Sequence, residues 1–167
     1  MFRIVAAYIP HCGYSDAKLE EHYKHIESVI AEARKQKKMV VVGADCNAEV
    51  GGTRRFGKTY GGFGNLTSTA RGEWLKACAS KFGMTLVNTF FMKQWSSVWA
   101  HAVGTAKQQR KIYYIWLDQN QIHNVTNAEA TDEICAGSDH RAVKMLLDIK
   151  GAKRNRWKEI PTQGIVQ

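Results

Sequence analysis

The run Met39-Val40-Val41-Val42-Gly43 constrains the fold more than any other part of the sequence. A continuous apolar stretch rich in β-branched valine is what a strand buried on both faces requires, and such strands lie centrally in α/β sheets with helices packed outside. The preceding segment supplies a helix. Ser15 or Asp16 can cap it, and Leu19, Tyr23, Ile26, Ile30 and Ala33 recur on one face as far as about residue 37, with acids early and lysines late. Residues 3–8 read as a buried strand stopped by Pro10 and Gly13. A second helix, over about 71–82, places Trp74, Leu75, Cys78 and Phe82 on one side and ends at Gly83, a residue suited to a left-handed cap. Further strands are predicted at 84–88, 97–99, 112–117 and 122–126. Over 142–149, Val143, Met145, Leu147 and Ile149 alternate with Lys144 and Asp148, the pattern of a half-buried strand.

These elements imply one mixed α/β domain over 1–150, since 167 residues suit one core better than two. Residues 151–167 read as a basic tail or linker, where Lys153, Arg154, Arg156 and Lys158 surround Trp157. Twenty-four Lys and Arg against fifteen Asp and Glu leave a net charge of +9, a potential that attracts phosphate-bearing partners. The cysteines (12, 46, 78 and 135) form no Cys-x-x-Cys pair, which argues against a zinc ribbon or disulfide framework and for reduced thiols inside a cell, in nucleus or cytoplasm. The apolar start is too short for a signal peptide, and no stretch is long enough for a membrane span.

Two short motifs carry chemistry. Gly43-Ala44-Asp45-Cys46-Asn47-Ala48 follows the central strand, at the end where α/β sheets place ligands. Asp45 there can take a proton from water or hold a metal, and Asn47, on the same side of an extended backbone, can donate to a phosphoryl oxygen. The second motif, Gly137-Ser138-Asp139-His140-Arg141, precedes the alternating strand. Its carboxylate can bind a hard divalent ion while the imidazole contacts phosphate or moves a proton. Either motif alone is more often an ordinary turn or capped loop than a site. Between them, residues 51–72 are predicted to form a long exposed loop in which Arg54, Arg55, Lys58 and Arg71 track a phosphate backbone and bases stack on Tyr60 or Phe63.

Taken in order, Tyr8-Ile9-Pro10, the Gly43–Ala48 motif, Arg71-Gly72-Glu73-Trp74-Leu75, Asn88-Thr89-Phe90-Phe91, Ile112-Tyr113-Tyr114-Ile115 and Ser138-Asp139-His140 resemble the endonuclease/exonuclease/phosphatase (DNase I-like) superfamily. Within it the chain is most similar to LINE-type retrotransposon endonuclease domains and craniofacial development protein 2-like proteins. The resemblance implies an α/β sandwich of two packed mixed sheets flanked by helices, and Mg2+- or Mn2+-dependent hydrolysis of DNA phosphodiesters. It implies that Tyr8 contacts the phosphate, Asp45 orients or deprotonates the attacking water, Asn47 holds a phosphoryl oxygen, Asp139 binds the metal and His140 hydrogen-bonds the scissile phosphate. It also implies a longer parent polypeptide with a reverse transcriptase region. The sequence departs from the pattern in three ways. The half of the domain that carries a Glu metal ligand would precede Met1, and none of Glu20, Glu21, Glu27 or Glu32 matches that motif. Tyr113 stands where the family has the Asp that orients the histidine, so His140 is expected to be misplaced or less basic. His11 and Thr69 replace asparagines common in relatives. Impaired activity is therefore expected, with two alternatives: an inactive remnant that binds nucleic acid, or a phosphatase of small phosphate esters.

Overall fold

The structure, a computed structural model, describes residues 1–51, 57–94, 101–103, 108–133 and 140–149. At its centre is β2 (Met39–Asp45), which pairs in parallel with β1 (Phe2–Tyr8) and antiparallel with β6 (Tyr113–Asp118). Strand β3 (Met84–Leu86) pairs with the far side of β6, giving the order β1-β2-β6-β3.

Alternation along the strands sorts their side chains between two cores. Val40, Val42 and Ala44 join Tyr114, Trp116, Met84 and Leu86 under the helices α1 (Asp16–Lys35) and α2 (Ala70–Lys81). Every residue predicted for the apolar face of α1 is buried, and Tyr23 stacks on Trp116 with ring centroids 6.3 Å apart. On the opposite face, Val41, Ile115 and Leu117 pack against Val87, Val125, Ala128, Met145 and Leu147. The last four of these come from the antiparallel pair β7 (Val125–Thr131) and β8 (Ala142–Leu147). Helices thus cover one face of the four-stranded sheet and a second sheet covers the other. A further ribbon joins β4 (His101–Val103) to β5 (Gln108–Arg110).

Several expectations are corrected. β1 is not a buried strand, because among the described residues it has a strand neighbour on one side only, and Ile4 is 79% exposed. β2 is central, yet only its helix-facing residues are fully buried, whereas Met39 and Val41 are partly covered and Gly43 is exposed. The strand expected at 84–88 gives way at Val87 to a 3-10 turn, Val87–Thr89, and the one at 122–126 begins only at Val125, after a 3-10 turn over Gln119–Asn124. The strand expected at 97–99 and the tail at 151–167 lie outside the described residues.

The described part of 51–72 is exposed only in part. Gly51 bridges to Asn65, Tyr60 bridges to Leu86, and Thr59 and Tyr60 are buried. Its glycines permit close packing: a Cβ on Gly51 would lie 2.1 Å from the Thr67 carbonyl oxygen, and one on Gly61 would lie 2.3 Å from that of Thr89. Lys111 anchors this segment from beneath. Only 1% exposed, its ammonium donates to the carbonyls of Phe63 (3.0 Å) and Asn88 (2.9 Å).

Burial pushes the Lys111 pKa down to about 7. Between that value and about 10.4 the unfolded chain binds one more proton than the folded one, so this group makes stability rise with pH by up to about 1.4 kcal/mol per unit. Above pH ~9 the buried Cys46 thiol, raised by desolvation, works in the opposite sense. Urea midpoints measured from pH 7 to 9 should therefore rise in the wild type relative to Lys111→Met. Parallel curves would show that Lys111 is charged in the fold throughout.

Candidate active site

The pairing registers align three strand ends in one row: Tyr8 opposite Asp45, and Asp45 opposite Tyr113. Paired residues point to the same face of a sheet, and alternation places this row on the face carrying Val41 and Ile115, away from the helices. Tyr8 is half-exposed at the end of the edge strand.

Asp45 ends the central strand, as expected, but Asn47 does not follow in extended backbone. The chain turns, with Asn47 at φ 44° and its N–H donating to Asp45 Oδ1 at 3.0 Å. Asn tolerates this left-handed conformation, and the Asp side chain accepting from two residues ahead is the usual bond of such a turn. Asn47 Nδ2 then donates to the Ile9 carbonyl (2.9 Å), while the Ile9 N–H donates to the Asp45 carbonyl (2.8 Å). The exits of β1 and β2 are thereby tied together, with Tyr8 and Asp45 at the knot.

His140, at the approach to β8, meets Tyr113: the phenol oxygen contacts Nδ1, and the rings lie nearly parallel at 11° with centroids 5.6 Å apart. The imidazole thus lies against the start of β6. A cleft of about 320 Å³ runs between Gly43, Asp45, Tyr113 and Ile115 on one side and Arg141 and Val143 on the other. The sequence pattern had assigned no role to Arg141 or to Asn88. Arg141 lines the cleft while Asp132 holds its guanidinium at 2.5 and 3.0 Å; its only signal was adjacency to His140. Asn88, 6% exposed, donates through Nδ2 to the Tyr113 carbonyl (3.0 Å) and accepts from the Ile115 N–H (3.3 Å), pinning the strand that carries Tyr113.

No protein-family model and no curated protein matches this sequence. Solved structures do match. The endonuclease domain of TRAS1, a telomere-specific non-LTR retrotransposon, aligns at 16% identity over 79% of this chain and 52% of its own, with a TM-score of 0.54. A 3′-5′ exonuclease, NExo, from Neisseria meningitidis aligns at 12% over 80% and 54%, TM-score 0.57. The catalytic domain of Xenopus laevis APE2 aligns at 13% over 79% and 43%, TM-score 0.57. The fold is DNase I-like. The chain spans about half the length of the solved structures it matches.

Within this DNase I-like fold, two of the described residues predicted to contact nucleic acid, Tyr60 and Arg71, are engaged with the protein itself. Tyr60 is 1% exposed, with Lys76 Nζ 5.6 Å from its ring centroid, so no base can stack on it. Arg71 joins the starts of the two helices: Nη2 donates to the Tyr14 carbonyl (2.9 Å), lies 3.0 Å from Asp16, and the guanidinium carbon is 5.7 Å from the Trp74 ring centroid. Lys58 and Phe63 are exposed. Arg54, Arg55 and Asp139, the expected metal ligand, lie outside the described residues.

Among the described residues no three His, Cys, Asp or Glu side chains gather as a metal cluster. The glutamates of α1 are on the helix side of the sheet, where Glu20, Glu21, Glu27 and Glu32 pair with Lys24, Lys18, Lys81 and Lys35. Asp45 is a hard oxygen donor, and Mg2+ commonly takes one or two carboxylates with water and substrate phosphate completing its shell, so the residues present fit such an ion.

The Asn47 turn can be tested directly. Asn47→Ala loses both the bond to Ile9 and the tolerance of positive φ, which together cost about 2 kcal/mol, whereas Asn47→Gly loses chiefly the bond, about 1 kcal/mol. Equal urea midpoints for the two variants would show that the turn relaxes on substitution.

Proposed function

We propose that this chain carries the greater part of a metal-dependent phosphodiesterase site acting on DNA inside the cell, in nucleus or cytoplasm. The observation that carries the reading is the row of Tyr8, Asp45 and Tyr113 at three strand ends, with His140 against Tyr113. The DNase I-like fold supports it, since one neighbour is a retrotransposon endonuclease domain and another, a 3′ phosphatase, is bound to a product DNA hairpin. The net charge of +9 supports a polyanionic substrate. A reverse transcriptase region in a longer parent polypeptide is the companion that the likeness to TRAS1 suggests.

In this reading Asp45, with Oδ1 held by the Asn47 N–H, orients or deprotonates the attacking water. Tyr8 and Asn47 contact non-bridging phosphoryl oxygens, and His140 hydrogen-bonds the scissile phosphate. Asp139 and Asp45 would hold Mg2+ or Mn2+, which supplies charge neutralisation at the phosphoryl group when bound. Water displaces the leaving oxygen in line, without a covalent enzyme intermediate. A second reading, binding without cleavage, is favoured by the phenol at His140: it offers no fixed negative charge to stabilise an imidazolium.

Nicking of supercoiled DNA with Mg2+ or with EDTA separates the two. The enzyme reading expects Mg2+-dependent nicking that falls by about 100-fold in Asp45→Ala and in Asp139→Ala. Retention of DNA with no nicking under any metal condition rejects it in favour of the binding reading. In either case affinity should fall steeply between roughly 50 and 200 mM salt, as expected of contacts to phosphate.

A further inference from the structure

We infer that Tyr113 is a positioning residue that donates its phenolic proton to His140 Nδ1, fixing the imidazole as the Nε2–H tautomer so that it serves as a neutral hydrogen-bond donor. This deepens the phosphodiesterase reading and rests on it for its functional meaning.

The contact between Tyr113 Oη and His140 Nδ1 admits two arrangements, because a phenol donates or accepts and a neutral imidazole carries its proton on either nitrogen. Acid–base matching selects one. A phenol, with an ordinary pKa near 10, is a far better donor than a neutral imidazole N–H, and the unprotonated imidazole nitrogen is a far better acceptor than a phenol oxygen. The stronger pairing puts the proton on Tyr113 and the lone pair on Nδ1. The ring's own proton then resides on Nε2.

The phenol is well placed to enforce this choice. Tyr113 is half-buried at the start of β6, and its carbonyl accepts from Asn88. The preceding Ile112 carbonyl accepts from Cys46 at 2.9 Å, and Asn88 also accepts from the Ile115 N–H. The following Tyr114 is buried, donating to the Lys111 carbonyl (2.9 Å) and accepting from the Val50 N–H (2.8 Å). Bonds on both sides leave the backbone of β6 little freedom, so a ring resting on Tyr113 takes its orientation from the sheet. The two rings lie nearly parallel, at 11°, and meet edge to edge through this contact.

A neutral Nε2–H donor suits a phosphoryl oxygen that gains negative charge as the pentavalent state forms, and it needs no counter-charge behind the ring. The phenol thus replaces one kind of histidine support with another: orientation and tautomer are kept, while stabilisation of an imidazolium is given up.

The test is a long-range 15N–1H spectrum of the full chain labelled at histidine, in mildly alkaline buffer, with His140 assigned by its absence from a His140→Gln sample. The wild type is expected to show Nε2–H at His140 with an unprotonated Nδ1. Tyr113→Phe keeps the aromatic ring but removes the donor, and should move the tautomer ratio toward Nδ1–H by about fivefold, the worth of one hydrogen bond. Tyr113→Asp substitutes an acceptor-only group and should make Nδ1–H the major form. An Nδ1–H majority in the wild type, or a ratio unchanged in Tyr113→Phe, overturns the assignment. The spectrum requires no activity, so an Nε2–H wild type that fails to nick DNA supports this inference while rejecting the phosphodiesterase reading.

Discussion

The structure depends on the pairing of β2 with a strand on each side. Parallel registration with β1 and antiparallel registration with β6 place Tyr8, Asp45 and Tyr113 in one row, and a slip of one residue in either ladder would turn a member of that row to the helix side. Burial enforces the register. Val40 and Val42 are completely enclosed beside Trp116 under the helices, and a slipped β2 would exchange them for Val41 and Gly43. The hydrophobic core and the candidate site are therefore specified by the same two ladders. Core residues fix which face Asp45 occupies before any polar contact is made.

Much of this was legible in the sequence because it rests on periodicity. The five α1 residues spaced for one helical face are the five that are buried, and Asp45 lies at the end of the apolar run that predicted a central strand. The failures have a common cause, which is that composition does not report what a segment is packed against. Glycines, serines and threonines in 51–72 suggested an exposed loop, yet Gly51 and Gly61 are small because backbone passes directly over them, and Tyr60 is covered by the chain around it. Arg71 read as a phosphate contact because it is cationic, whereas Tyr14, Asp16 and Trp74, none of them marked out as its partners by sequence, already surround it. The extended geometry assumed for Asn47 failed because a two-residue Asx turn leaves no periodic trace.

Lys111 illustrates the same point from the opposite direction. A lysine between β5 and the aromatic strand β6 gives no sign of burial, but its amino group is the shared donor for carbonyls on two segments. Desolvation lowers its pKa, while its nitrogen still donates to both carbonyls. Through Asn88, the same turn that Lys111 anchors also pins the Tyr113 carbonyl. The loop segment and the site strand are thus mechanically joined by one buried amine and one buried amide.

The members of the site are held with unequal firmness, and this bears on how it can work. Asp45 and Tyr113 lie on strands flanked on both sides, and the turn at Asn47 and the bonds of Asn88 fix their backbones further. Tyr8 is at the end of an edge strand, held by one ladder, by Val5 and Ala7 against the helix-side core, and by the Ile9–Asp45 and Asn47–Ile9 bonds at its exit. Groups that must place a proton or a lone pair within a fraction of an ångström belong on the rigid elements, and that is where the carboxylate and the imidazole support are found. A phosphate contact tolerates more play, because its worth is largely electrostatic and varies slowly with distance. Under the proposed function, rigidity would follow the precision each role demands. In the proposed function, Tyr8, on the more weakly supported strand, would capture a phosphate, while Asp45 and the Tyr113 that meets His140 are carried by the two inner strands of the sheet.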